Sequence, residues 1–172
     1  MQLAFKRGYY DDHFESVMAF GIMFRNLLNS LTGGFNFNGL NLVHGELVFG
    51  PEFNNVSFSS DPTEGVRFKQ IKYSHPERWV FVDWQFTHPV WGGKYVTEAD
   101  IYRKCQTMVG KKYDWLGIIS QGIGVDDLEN PNEYFCTEST SYIQGLNPYH
   151  LNPQDAYKQN IRINEQIKAK AN

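Results

Sequence analysis

The sequence predicts an α+β fold in which helices pack on an antiparallel sheet or on a small barrel. The middle of the chain alternates polar and apolar residues in short runs separated by turns, whereas the flanking parts carry apolar residues at helical spacing. The 172 residues suffice for one domain with a substantial core, and an aromatic content of 16% predicts that rings fill much of that core.

The strand pattern recurs along the first half of the chain. The predicted strands are residues 2–6, 41–49, 56–60, 65–71 and 79–86, and turn-forming stretches such as DPTEG and YSHPER separate the later ones. Because successive short strands joined by turns pair with one another, we expect either an open antiparallel sheet or a barrel closed from it.

The helical pattern occupies residues 14–31, 98–109 and 114–121 and the segment that begins at Cys136 and ends at Gly145. Thr97 and Asp100 predict a capping box at the start of the second of these helices. The first helix is apolar on every side around residues 18–24, so it is either threaded through the core or docked on another chain, and we expect docking. We place one domain at 1–150 and a polar C-terminal extension at 151–172.

Composition argues against several functions. A net charge of −3 with scattered Lys and Arg predicts no nucleic-acid binding, and no apolar run is long enough to span a membrane. The N-terminus lacks the order of a secretion signal, so we expect cytoplasmic synthesis. With Cys105 and Cys136 as the only cysteines, we expect no disulfide, no metal site and no cofactor; Cys105 lies on an apolar helix face, as a small buried residue would.

Cys136 is the residue with the strongest chemical context. It follows two aromatic residues at the predicted start of a helix, where unpaired backbone N–H groups and the positive end of the helix dipole favour a thiolate. The alternative is a buried structural cysteine, which is the ordinary reading of a cysteine without such a context.

His44 and Glu46 supply the other parts of a thiol-based acyl-transfer site. They are two residues apart on a predicted strand and therefore share one of its faces. A cysteine, a histidine and an orienting acid are the minimum set for this chemistry. The alternatives are a sheet histidine with a structural role and a glutamate that faces solvent or pairs with Arg67.

Several segments in their order along the chain resemble a known superfamily. They are MQLAFKRG at the start, HGELVF, SSDPTEGVRFKQI, GKKYDWLGI and YFCTE. Together they are similar to the NlpC-type papain-like cysteine peptidases in their circularly permuted form, and above all to small phage-encoded members. In the unpermuted branch the cysteine helix precedes the histidine strand, whereas here the histidine comes first.

The resemblance implies a papain-like core and assigns the site. Cys136 is the nucleophile and His44 is the base. Tyr113 matches a tyrosine that lies near the active site in relatives. Its role is either that of an aromatic residue in the core or that of a hydroxyl donor to an oxyanion. Relatives place the third polar residue on the strand after the histidine, where this chain has Ser57 and Ser59. Glu46 and Ser59 both remain candidates for that position.

The implied function is a cysteine hydrolase that cleaves an amide bond in peptidoglycan stem peptides, as a phage lysin or a virion-associated wall hydrolase. One alternative is a virion or tail structural protein that keeps the fold with weak or lost catalysis, with residues 14–31 and 151–172 as contacts to other virion proteins. A further alternative is a thioesterase or lipid acyltransferase.

Overall fold

The computed structural model describes residues 1–8, 42–84, 97–118, 130, 132–146 and 152–171. Within them, helices and a single antiparallel sheet combine, as the α+β prediction requires. The strands are β1 (Gln2–Arg7), β2 (Leu42–Val48), β3 (Ser57–Asp61), β4 (Gly65–Lys69) and β5 (Trp79–Asp83). The helices are α1 (Glu98–Gln106), α2 (Cys136–Gln144) and α3 (Pro153–Ala171).

The five strands lie in the order β4-β3-β2-β1-β5. The sheet is therefore open among the described residues, and the alternative of a small barrel is wrong. The physical reason is that β4 and β5 occupy opposite edges, while helices cover one face of the sheet and bury its apolar side chains. Closure into a barrel is not needed to form this core.

The strand register divides the sheet into an apolar and a polar face. Leu3 pairs with Leu47, and Leu47 pairs with Phe58, so these side chains share the face that enters the core. Glu46 pairs with Ala4 on the opposite face, which also carries His44 beside Lys6. The period of two along a strand thus places His44 and Glu46 together, as predicted from the sequence.

The helices complete the core from the apolar side. Ile101, Cys105 and Met108 from α1 and the turn after it, Ile143 from α2, and Ala156 from α3 are all buried in one cluster with the sheet. The predicted capping box of α1 is present, since Thr97 Oγ1 accepts from Asp100 N at 3.2 Å and Asp100 Oδ2 accepts from Thr97 N at 2.9 Å. Cys105 is a buried free thiol.

Helix α3 forms from the segment to which the sequence assigned no structure. Its inner face packs on the sheet: the ring of Tyr157 meets that of Phe5 edge to face at 5.6 Å, and Asn164 donates from Nδ2 to the carbonyl of Asp83 at 2.7 Å. Its last turns are exposed. The predicted helix at 14–31, the second half of that at 114–121 and the predicted domain boundary at 150 lie outside the described residues.

Candidate active site

Cys136 is the first residue of α2, as the sequence predicts. The carboxylate of Glu138 accepts from the backbone N–H of Phe135 at 3.0 Å and so fixes the entry into the helix. The helix ends at Gly145, whose φ of 71° places it in the left-handed region. The Cys136 side chain is buried, with 2% of its surface exposed, at the end of the helix where N–H groups lack intrahelical acceptors.

Gly45 allows this helix to lie directly on the histidine strand. A Cβ atom at Gly45 would lie 3.1 Å from Cγ2 of Thr137, the residue that follows the cysteine. The absence of a side chain between His44 and Glu46 therefore sets how closely the start of α2 approaches β2. In the sequence, the only sign of this close approach is a glycine within a predicted strand.

The structure brings His44 and Glu46 into direct contact. Nε2 of the imidazole lies 2.7 Å from Oε1 of Glu46. This contact leaves Nδ1 as the ring nitrogen for a second partner, and the side chain of Cys136 is within hydrogen-bonding range of the imidazole. Cysteine, imidazole and carboxylate thus form a continuous chain of interactions.

Arg67 extends that chain. Its guanidinium donates to both oxygens of Glu46, at 3.0 and 3.2 Å, from the strand β4 on the same face of the sheet. Glu46 is 1% exposed, so its charge requires such partners. Glu46 therefore contacts Arg67, as one sequence-based interpretation expects, and at the same time contacts the imidazole that an orienting acid would have to reach.

The electrostatics follow from these contacts. Burial lowers the pKa of His44, but the charge and hydrogen bond of Cys136, and then those of Glu46, outweigh burial and raise the pKa from 6.5 to about 10. Burial raises the pKa of the Glu46 carboxyl, but hydrogen bonds and charges from His44 and Arg67 outweigh it and lower the pKa below its usual range. The arrangement favours a protonated His44 beside an ionised Glu46.

The backbone of Lys111 and Lys112, which we call the strap, positions Tyr113 beside the cysteine. The carbonyl of Lys111 accepts from Val66 N at 2.8 Å on one side, and that of Lys112 accepts from Tyr134 N at 3.0 Å on the other. Tyr113 then packs with Phe135 and Cys136 in a small buried cluster. Burial, with the nearby charge of Cys136, raises the pKa of its phenol, so the hydroxyl keeps its proton and remains a donor.

The strap depends on Gly65, at the start of β4. Its φ is 70°, and a Cβ atom there would lie 2.4 Å from the carbonyl oxygen of Lys111. Only glycine combines this backbone conformation with so close an approach of the strap.

Ser57 and Ser59 have other partners. The hydroxyl of Ser59 donates to the carbonyl of Gly45 at 2.6 Å, and that of Ser57 is 2.7 Å from the hydroxyl of Tyr73. Ser59 therefore contacts the backbone between His44 and Glu46, while Glu46 contacts the imidazole itself.

A cavity of about 470 Å³ opens on the polar face of the sheet next to this chain of residues. His44, Glu46 and Tyr113 reach its wall, as do several cationic side chains, which are Lys6, Arg67, Lys69, Lys72 and Arg78. The sequence alone does not reveal this wall, because the cations come from distant strands and loops and the chain as a whole is acidic.

Two further observations bear on function. In the part of the chain that the structure describes, no helix is long and apolar enough to cross a membrane, and no group of His, Cys, Asp and Glu is arranged to hold a metal ion. Comparison with protein-family models, with curated proteins and with solved structures finds no match for this chain.

Proposed function

We propose that the protein is a cysteine hydrolase that cleaves an amide bond, with Cys136 as nucleophile and His44 as general acid and base. The observation that carries the proposal is the continuous contact from Cys136 through His44 to Glu46, with Nε2 of the imidazole 2.7 Å from the carboxylate. A nucleophile, a base within reach and a third group that orients the base are the parts that covalent acyl transfer needs.

The reaction would proceed in two steps, acylation of Cys136 and hydrolysis of the thioester. The Cys136 thiolate attacks the carbonyl carbon, the C–N bond breaks, and the imidazolium of His44 gives its proton to the departing amine. Water then attacks the thioester while His44 takes a proton from it, and the carboxylic acid and the thiolate are released. Glu46 keeps the imidazole oriented and stabilises its cationic form.

The negative charge that develops on the carbonyl oxygen needs donors. The backbone N–H of Cys136 has no intrahelical acceptor at the first position of α2, and the Tyr113 hydroxyl packs in the same cluster and keeps its proton. These two groups are the proposed oxyanion site, supported by the positive end of the helix dipole.

The resemblance of the ordered segments to circularly permuted NlpC-type peptidases extends the proposal to the fold and the substrate. The permuted papain-like core would explain why the histidine strand precedes the cysteine helix while the two lie in contact. Peptidoglycan stem peptides are then the substrate, and a phage lysin or a virion-associated wall hydrolase is the biological role.

Release of peptides from purified peptidoglycan tests the function. We expect soluble peptides with the wild-type protein and none with Cys136→Ala. Cys105→Ala is the matched control, because it removes the other thiol, which is buried in the core away from His44. If both variants release peptides like the wild type, the proposed role of Cys136 is wrong. Absence of release by the wild type would favour a structural role in the virion.

A further inference from the structure

The polar face of the sheet is deeply buried around Glu46. The side chain of Glu46 is 1% exposed, and Ala4, its cross-strand partner on β1, is 0% exposed. The helices pack on the opposite face, so another part of the chain excludes water here. This matters for the site, because water would weaken the interaction between the carboxylate and the imidazole of His44.

Residues 70–78, which we call the crossing segment, run across this face. They connect β4 at one edge of the sheet to β5 at the other edge. Lys72 and Ser74 of the segment line the cavity beside His44. Tyr73, which lies between them, contacts the sheet instead.

Tyr73 bridges two strands that are not neighbours. Its hydroxyl lies 2.7 Å from the hydroxyl of Ser57 on β3. Its ring meets the rings of Trp79 and Phe81 on β5 edge to face, with centroid distances of 4.9 and 5.2 Å. Strands β2 and β1 lie between β3 and β5 in the sheet, so the side chain that joins β3 to β5 passes over both.

The strand register places this crossing at the acid. Ser57 is the cross-strand partner of the residue two positions after Glu46, so both side chains are on one face. Phe81 is the partner of Ala4, which is in turn the partner of Glu46. The contacts of Tyr73 with Ser57 and Phe81 therefore lie on either side of Glu46.

The electrostatics of Tyr73 agree with this position. Burial raises the pKa of its phenol, the hydrogen bond with Ser57 lowers it, and the charges of Glu46 and Arg67 act on it with opposite signs. The balance keeps the pKa above its usual value. The hydroxyl therefore stays protonated, and Tyr73 adds no charge of its own to the site.

We propose that Tyr73 is a positioning residue that covers the contact between Glu46 and His44 and keeps water away from it. The inference rests on the proposed function and adds a residue that acts through Glu46. Charges in a site without water interact more strongly and are screened less by salt. The ring of Tyr73 thereby strengthens the interaction of the carboxylate with the imidazole.

Two substitutions separate the ring from the hydroxyl. Tyr73→Leu keeps an apolar side chain that is too short to reach from β5 to β3, so water reaches Glu46. We expect kcat/KM to fall about tenfold, within the usual coupling of residues in one network, and the pKa of His44 to fall as water screens Glu46. Tyr73→Phe loses only the hydrogen bond to Ser57 and should retain most of the turnover. An equal loss in both variants would show that the hydroxyl acts and not the ring.

A double-mutant cycle with Glu46→Gln tests whether Tyr73 acts through the acid. In the Glu46→Gln background, Tyr73→Leu should change neither kcat/KM nor the pKa of His44, because the charge that the ring covers is gone. Salt gives a second readout. Between about 0.1 M and 1 M salt, the pKa of His44 should change little in the wild type and should fall in Tyr73→Leu.

Tyr157→Ala is the matched control for loss of an aromatic ring. It removes a tyrosine from the opposite face of the sheet, where the ring meets Phe5 at 5.6 Å. We expect lower stability but an unchanged pKa of His44 with unchanged salt dependence. None of these variants alters the other charged or titratable groups that the structure places next to the pair, among them Cys136 on α2, Arg67 on β4 and Lys6 on β1.

Phe81→Ala keeps the proposal testable if Tyr73→Leu fails to fold. It removes a ring that is 40% exposed and that supports Tyr73 from β5, so the same changes should appear to a smaller degree. A pKa of His44 that stays unchanged and independent of salt in the folded variants overturns the proposal.

The titration of His44 requires no substrate and therefore separates this proposal from the proposed function. If Tyr73 and Glu46 are coupled in the pKa of His44 while no substrate is cleaved, Tyr73 covers the pair and the proposed function fails. If substrate is cleaved but the effects of Tyr73→Leu and Glu46→Gln are additive, the hydrolase stands and the role of Tyr73 is wrong.

Discussion

Nε2 of His44 lies 2.7 Å from Oε1 of Glu46, although the two residues are neighbours on the same face of one strand. Side chains at this spacing run roughly parallel, so contact requires that one of them turn towards the other. Arg67 on β4 lies on the same face of the sheet and donates to both oxygens of the Glu46 carboxylate. The acid is thus fixed from one side and orients the imidazole on the other.

The first prediction separates Glu46 from Ser59 as the third member of the site. Glu46→Gln removes the anion that faces the imidazole, so kcat should fall by up to about 10⁴-fold, as loss of an orienting acid does in a serine triad. Ser59→Ala removes a hydrogen bond to the carbonyl of Gly45, which should cost about 1 kcal/mol of folding stability and little turnover.

Turnover and circular dichroism are measured together for both variants. A strong loss of turnover in folded Ser59→Ala, with normal turnover in Glu46→Gln, would show that the third member lies on β3 and not on β2.

The second prediction concerns the contact between α2 and the histidine strand. Gly45→Ala introduces a Cβ atom 3.1 Å from Cγ2 of Thr137, which should push the start of α2 away from His44 and reduce turnover. Thr137→Ser removes that methyl group and keeps the hydroxyl, so Gly45→Ala/Thr137→Ser should recover much of the loss. A double-mutant cycle on kcat/KM measures the coupling. Additive effects of the two substitutions would contradict the proposed contact.

The third prediction compares two glycines with positive φ. Gly65→Ala meets the Lys111 carbonyl at 2.4 Å in addition to backbone strain, whereas the new Cβ of Gly110→Ala, at a φ of 87°, meets no other atom of the described residues within 4 Å. We expect Gly110→Ala to cost about 1–2 kcal/mol in the free energy of unfolding, and Gly65→Ala to cost more because the strap must shift. Denaturant unfolding measures both. Equal losses of unfolding free energy in the two variants would show that the strap shifts away from residue 65 at no cost.

The fourth prediction is a pH dependence of stability. The pKa of His44 is raised to about 10 in the folded protein, against 6.5 in the unfolded chain. The resulting stabilisation is fully present below the lower value and is lost as the pH rises through the higher one. The stability difference between wild type and His44→Gln should therefore shrink between neutral pH and alkaline pH, as measured by denaturant unfolding. A stability difference that grows with pH would show that folding lowers the pKa of His44 instead of raising it.

The source of that raised pKa is tested separately. Cys136 contributes the largest of the effects that raise it, so Cys136→Ser should lower the pKa of the imidazole. The chemical shift of the His44 ring protons followed against pH reports this value directly. An unchanged pKa in Cys136→Ser would show that the thiol does not interact with the ring.

Part of the sheet could be predicted from alternation, since the segments that form β2 and β3 carry a pattern of period two that a pleated strand places on two faces. The start of α2 at Cys136 and its end at Gly145 follow from residue types that favour such positions. The shared face of His44 and Glu46 follows from their spacing, but their contact does not, because a rotamer and the partner Arg67 decide it.

Other parts could not be predicted because they depend on distant segments. The apolar stripe of α3 is short, with Ala156, Tyr157 and Ile161 set among polar residues, so the pattern alone gives little signal. The hydrogen bond from Ser59 to the Gly45 carbonyl joins β3 to β2 through a side chain and has no local signature in the sequence. The open sheet likewise depends on which strands reach the edges.

Alkylation of the two thiols by iodoacetamide at neutral pH, followed by mass spectrometry, is the most direct test of the claim that His44 activates Cys136. Burial raises the pKa of Cys105, so this thiol is the internal reference. We predict that Cys136 reacts far faster than Cys105 in the folded protein and that His44→Ala removes most of this difference. Equally slow reaction of both thiols, or a fast reaction of Cys136 that is unaffected by His44→Ala, would show that His44 does not activate Cys136.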